Sequence, residues 1–251
     1  MSRKWIIAAI GGGEAAGPEV EAFGTLVAQV GAILMTGGIP ALNSPRVTER
    51  AQAGCKAAGG LMISVLPETG RNAIVACHGE RRFEVLTNVS KFGRDPITGA
   101  AADVIFVFPG EVGTLVELAY ASREKRPILF CGTSAQWNEM GALRRTRKAK
   151  LREGLETAVR EYGPDYECGA LNPDYVTQTV NKLEHHLDEG LQGIPPGFTD
   201  LLQSIRPGSS APDPAATNFR GLPNCTGVEE FRSLVAQMSA FGPVEHFIVA
   251  S

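Results

Sequence analysis

Val104-Ile105-Phe106-Val107-Phe108-Pro109-Gly110-Glu111-Val112-Gly113-Thr114-Leu115-Val116-Glu117 is the stretch from which the fold of this chain can be read. Val104 to Phe108 is apolar at every position, so it reads as a strand buried on both faces; a strand with one wet face would alternate with polar residues. Pro109 and Gly110 then break the run, and Thr114 to Ser122 carries apolar residues at helical spacing. A doubly buried strand that turns through glycine into a helix is the repeating unit of a parallel sheet.

The same unit recurs outward from this stretch. Short apolar, β-branched runs predict strands at Trp5 to Ile10, Ala32 to Thr36, Leu61 to Leu66 and Pro127 to Cys131, with a shorter strand around Phe83 to Thr87. Between them, Pro18 to Val30 and Val47 to Ala58 have the spacing and the alanine and glutamate content of amphipathic helices. After Gly132 the alternation gives way to helical sequence, Gln136 to Tyr162 and Tyr175 to Leu191. The expected class is α/β, a mostly parallel β-sheet flanked by helices, with an extra helical C-terminal extension. Residues 1–192 read as one domain. Residues 193–226 hold Pro195-Pro196, Pro207-Gly208-Ser209-Ser210 and Pro212-Asp213-Pro214, and read as a linker or surface crossing. Residues 227–251 read as a C-terminal helix, Val228 to Phe241, and an edge strand, Val244 to Val249, packed on the same domain.

The bulk properties exclude several classes. At 251 residues and 43% hydrophobic, the chain can bury a full core. A formal net charge of -3 creates no field that would gather nucleic acid or an anionic membrane. The N-terminal apolar run, Trp5 to Ile10, is too short for a signal core or a membrane span, which points to an unexported, cytoplasmic protein. Five cysteines, Cys55, Cys77, Cys131, Cys168 and Cys225, are odd in number and never form Cys-x-x-Cys, as expected of reduced thiols.

In an open parallel sheet, ligands lie beyond the carboxyl ends of the strands, where helix N-termini offer unpaired N-H groups. Three glycine turns occupy such positions: Gly11-Gly12-Gly13-Glu14, Thr36-Gly37-Gly38 and Pro109-Gly110-Glu111-Val112-Gly113-Thr114. Gly12, Gly13, Gly37, Gly38, Pro109, Gly110, Glu111, Val112, Gly113 and Thr114 are therefore the expected contacts to a phosphorylated small molecule. Glycine allows close approach to an anion but is also the commonest residue of a tight turn, so each turn has an ordinary structural account as well. Glu117, one turn along the following helix, could face the same mouth. Its ordinary account is a favourable charge near a helix N-terminus.

Other features have plain explanations. Arg144-Arg145-Thr146-Arg147-Lys148-Ala149-Lys150-Leu151-Arg152 reads as a solvated helix face, with an acidic or phosphate-bearing partner as the alternative. His185 and His186 are adjacent and cannot share a metal as an i, i+4 pair could, and no metal site is expected. Cys77-His78 lacks the geometry of a nucleophilic couple. No Walker-type, His-Glu-x-x-His, Gly-x-Ser-x-Gly or dinucleotide fingerprint is present.

From Thr36-Gly37-Gly38 through Ala58-Gly59-Gly60-Leu61 and Val65-Leu66-Pro67 to Pro109–Glu117, the chain resembles the Lonely Guy family and its relatives, the molybdenum cofactor carrier proteins. Their diagnostic pattern is Pro-Gly-Gly-x-Gly-Thr-x-x-Glu, preceded by an arginine on the helix before that strand, which Arg94 matches by its interval. Asp103 heads the strand as it does there. The resemblance implies a three-layer Rossmann-like fold, assembly as a homodimer or higher homo-oligomer, and one of two functions. In the hydrolytic members the arginine and glutamate release a free base and ribose 5-phosphate from nucleoside 5'-monophosphates. Carried over, Glu117 would stabilise the sugar cation or orient water, and Arg94 would keep that carboxylate ionised or bind the ligand. No cofactor is then required.

The alternative implied is a carrier or sensor, with a nucleotide or the molybdenum cofactor bound and not turned over. Glu111 in place of the second loop glycine favours this reading. So does Phe92-Gly93-Arg94-Asp95, where the hydrolases have His-Glu-Arg-Lys. Ile39 to Pro45 replaces a shorter connection and would reshape the base-side wall. Retention of both Arg94 and Glu117 tips the expectation toward hydrolysis.

Overall fold

The computed structural model of the chain describes residues 4–12, 18–37, 46–67, 81–126, 128–131, 134–162 and 172–192. The expected linker, C-terminal helix and final strand, together with Gly13, Gly38, Ile39 to Pro45 and Cys77-His78, lie outside these residues. The described strands are β1 (Ile6–Ile10), β2 (Ile33–Thr36), β3 (Leu61–Leu66), β4 (Arg82–Leu86), β5 (Val104–Val107) and β6 (Ile128–Phe130). The helices are α1 (Pro18–Gln29), α2 (Val47–Ala57), α3 (Lys91–Ala101), α4 (Val112–Arg123), α5 (Ser134–Thr146), α6 (Lys148–Tyr162) and α7 (Pro173–Gln192).

The strands form one sheet in the order β4-β3-β2-β1-β5-β6, and every pairing is parallel. The expected α/β, Rossmann-like architecture is therefore present. The chain winds outward from β1 in one direction through β2, β3 and β4, then crosses to β5 on the other side. This reversal opens a crevice between the carboxyl ends of β1 and β5, the place where such sheets bind ligands.

Alternation along the strands sends side chains to two separate cores. Ile7, Ala9, Leu34, Met62, Val104 and Phe106 point to the face covered by α1 and α2, with Phe23, Val27 and Ala51. Ala8, Ile10, Met35, Val65, Ile105 and Val107 point to the face covered by α4, α6 and α7. Cys55 is buried in the first core, and burial pushes its thiol up to about 11, so no reactive thiolate forms there at neutral pH.

Three local expectations need correction. The turn before α4 is shorter than the sequence suggests: the helix starts at Val112, with Glu111 as N-cap, and Thr114 is already inside it. Helix α3 is the helix around Arg94 that the resemblance implies, but periodicity does not show it, because Gly93, Pro96 and Gly99 all weigh against a helix interior. It forms because its start is tied down. Ser90 Oγ accepts from Gly93 N at 3.2 Å, and Glu161 of α6 accepts from both Ser90 N and Ser90 Oγ, at 2.8 and 2.6 Å. The segment Gln136 to Tyr162 is two helices divided at Arg147, across which Arg147 N still donates to Leu143 O at 2.8 Å.

Candidate functional site

The crevice holds a cavity of about 180 Å³, lined by Ala9, Ile10, Gly11 and Gly12 of β1 and its turn, Gly37 after β2, and Arg46 and Thr48 at the start of α2. Lys91, Arg94 and Asp95 of α3 and Glu111, Gly113, Thr114 and Glu117 of α4 complete it. Gly12 N donates to Pro109 O at 3.0 Å, which pins the first glycine turn against the last. That approach needs small residues: a Cβ at Gly12 would sit 3.1 Å from Gly110 Cα, and one at Gly11 only 2.8 Å from Phe108 Cβ.

Of the residues expected at the site, Gly12, Gly37, Arg94, Glu111, Gly113, Thr114 and Glu117 share this cavity. Pro109 and Gly110 lie behind it, in the contact with Gly12. Val112 does not reach it; its side chain is buried in the core on the α4 face. Asp103 has a structural role, accepting from Ile6 N at 2.9 Å and so tying β5 to β1.

Arg94 and Glu117 come together at the closed end, but their relation differs from the expected one. The Arg94 guanidinium is engaged by the protein: Nη1 donates to the carbonyls of Gly37 and Val65, and Nη2 forms an ion pair with Asp95 Oδ1 at 2.9 Å. Glu117 Oε1 accepts instead from Thr98 Oγ1, at 2.9 Å. Glu117 is 6% exposed. Burial raises its pKa above the ordinary carboxylate value, while Arg94, the Thr98 hydrogen bond and Lys91 only partly offset this. Arg94 does pull the Glu117 pKa down, as the resemblance implies, but desolvation outweighs that attraction. The alternative reading of Glu117 as a charge at the helix start fails, since Glu117 is the sixth residue of α4 and buried.

Asp95 was not among the expected site residues. It is 1% exposed, and burial pushes its pKa well up; Arg94 opposes the shift and the neighbouring Glu117 adds to it. Two carboxyls facing one guanidinium in a desolvated pocket favour retention of a proton between them. Lys91 and Arg46 were missed as well. Lys91 would have been found by reading α3 as a helix, where positions 91, 94 and 95 fall on one face. Lys91 and Arg46 are both exposed at the mouth, and the Lys91 charge acts on Asp95 and Glu117.

The remaining features match their ordinary explanations. In the basic run, Arg144 pairs with Asp188 at 3.0 Å and Arg152 with Glu184 at 3.1 Å, so these two fasten α5 and α6 to α7, while residues 145–150 are exposed. His185 and His186 both lie beside Glu189. Among the described residues no His, Cys, Asp and Glu cluster could hold a metal, and no helix is long and apolar enough to cross a membrane.

Several solved structures are similar to this chain. The molybdenum cofactor binding protein of the phototrophic bacterium Rippkaea orientalis is 29% identical over 57% of this chain and 85% of its own, with a TM-score of 0.46. The molybdenum cofactor carrier protein of Chlamydomonas reinhardtii is 30% identical over 57% of this chain and 87% of its own, with a TM-score of 0.43. No curated protein matches. The family described as SLOG cluster4 matches residues 4–158, more than half of the chain and the whole of the segment that builds the cavity. The chain belongs to the SLOG cluster4 family.

Proposed function

We propose that the cavity binds a phosphorylated, nucleotide-like small molecule. The observation that carries this reading is the convergence of Gly11, Gly12, Gly113 and Thr114 with two exposed cations, Arg46 and Lys91, over the N-terminus of α4. Glycine turns leave the backbone donors accessible, and the helix terminus and the cations favour an anion. Glu111 opposes it, but its side chain is exposed at the N-cap and makes no capping hydrogen bond, so water screens it. The cavity is smaller than the roughly 300 Å³ at which sites for drug-sized ligands begin, so it encloses a sugar phosphate and leaves a base at the rim.

The binding reading also accommodates a phosphorylated pterin such as the molybdenum cofactor. Arg46, Lys91 and the α4 N-terminus would hold its phosphate. Its metal would meet no cysteine or histidine among the described residues that line the cavity. The test is native mass spectrometry of the purified full chain for a co-purifying phosphorylated ligand, with calorimetry against AMP. Lys91→Ala and Arg46→Ala should each weaken AMP binding by about 3- to 10-fold, the loss of one charge-assisted contact. Wild-type protein that binds neither AMP nor inorganic phosphate, and carries no ligand, would refute the proposal.

A second reading, hydrolysis of a nucleoside 5'-monophosphate to free base and ribose 5-phosphate, rests on Arg94 and Glu117 sharing the closed end of the cavity. An ionised Glu117 would stabilise the developing sugar cation or orient water, and Arg94, fixed by two carbonyls and Asp95, would position that carboxylate. Because burial raises the Glu117 pKa, turnover should increase as pH rises through that value. Incubation with AMP, CMP and GMP, scored for free base with wild type and Glu117→Gln, decides it. No release by wild type ends the hydrolytic reading and leaves the binding one standing.

A further inference from the structure

Asp95 is a buried acid whose one ion-pair partner among the described residues is Arg94, at 2.9 Å from Oδ1. That contact is poorly aligned for a hydrogen bond, and Oδ2 receives none. Buried carboxylates in native proteins normally have such partners, so an orphan at the end of a cavity calls for one from outside. Oδ2 faces Gly113 in the first turn of α4, where a Cβ would lie 3.3 Å away. Because that position is glycine, nothing fills the space between Asp95 and the cavity.

The cavity is also graded from mouth to floor. Arg46, Lys91 and Glu111 are exposed, whereas Asp95 and Glu117 are buried. A ligand phosphate belongs with the two cations and the α4 N-terminus. Beside Asp95 an anion would be repelled, and a neutral hydrogen-bond donor would be held. We propose that Asp95 receives the vicinal hydroxyls of the ligand's sugar, so that the cavity selects ribose-bearing phosphates over deoxygenated ones. The inference rests on the phosphate-binding reading above. It places the sugar hydroxyl edge toward the floor, the phosphate against Arg46, Lys91 and the α4 N-terminus, and the base at the rim.

The groups facing Asp95 are Arg94 and Lys91 of α3 and Glu117 of α4. Hydroxyl donors stabilise the ionised carboxylate, so binding should release a proton where Asp95 or Glu117 held one. Ribose affinity should therefore improve with rising pH. A protonated Asp95 that donated to the phosphate would give the opposite slope.

The experiment is calorimetry of the full chain against AMP, inosine monophosphate, 2',3'-dideoxy-AMP and inorganic phosphate, with wild type and Asp95→Asn. Wild type should prefer AMP to its dideoxy analogue by about 10- to 100-fold, the range of a hydrogen bond to a charged acceptor. In Asp95→Asn that ratio should fall toward one. The wild-type ratio needs no variant, so the inference stands or falls even if Asp95→Asn does not fold. Equal binding of AMP and dideoxy-AMP overturns the assignment and leaves the phosphate site intact. Discrimination that follows the base amino group, AMP against inosine monophosphate, overturns it too. Absence of binding by all four ligands removes the phosphate site and this inference together.

Discussion

The two faces of the sheet are built on opposite principles. Under α1 and α2 the contacts are apolar and close. Phe23 packs on Phe106 and Phe108 at ring distances of 4.6 and 5.6 Å, and Gly24 and Gly54 let the two helix backbones nearly touch. Its buried polar groups satisfy one another: Gln52 Nε2 reaches Thr36 Oγ1 at 2.6 Å and Ser64 Oγ at 2.9 Å. Under α3 and α4 an equally dense core surrounds Arg94, Asp95, Thr98 and Glu117, all buried, with two carboxyls against one guanidinium. Burying such a cluster costs free energy that apolar residues of similar volume would not. The first face is what stability alone would select, and the second is what a ligand site demands.

The largest test of this contrast is Phe106→Ala. It removes one fully buried ring of the aromatic cluster and should cost about 3–5 kcal/mol in a urea melt. Ligand affinity per folded molecule should be unchanged, and a loss of affinity without a loss of stability would show that the faces are not separate. Gly24→Ala should cost less, about 1–3 kcal/mol, because its Cβ would sit 2.8 Å from the Ala51 carbonyl carbon and force α1 off α2. If thermal unfolding shows no change, the helices have more slack than the geometry allows.

Glu117→Gln should have the smallest effect on stability, within about 1 kcal/mol of wild type at neutral pH, since Gln keeps the shape and needs no proton. The sign of its pH effect is set by the raised pKa. The folded chain holds a proton on Glu117 that the unfolded chain loses near pH ~4.3, so wild-type stability falls as pH rises from there to the raised value. Glu117→Gln should flatten that decline, leaving the part due to Asp95. An equally steep decline in the variant would mean that Glu117 is ionised in the folded protein.

Glycine explains both what could be read ahead of the structure and what could not. At Gly11, Gly12, Gly110 and Gly113 it ends an apolar run and opens a helix, so the turn, and with it the cavity wall, shows in one dimension. Helix α3 is concealed by the same residue type. Gly93 and Gly99 argue against a helix, yet a Cβ at Gly99 would sit 3.1 Å from the Glu117 carbonyl carbon. That closeness lets α3 press on α4 and brings Asp95 to Glu117. The residues that hide the helix are those that bring the acids together.

The sequence by itself determined the parallel sheet, its strands to within a residue or two, and the end of the sheet where a ligand would sit. Apolar runs and glycine turns are local, and local sterics act on neighbours along the chain. Only the tertiary structure decided that Arg94 would be held by Gly37, Val65 and Asp95, that Glu117 would turn to Thr98, and that both acids would be buried at the end of the cavity. Charge energetics depend on distance and desolvation in three dimensions, and these exist only once α3, α4 and the strand ends have packed.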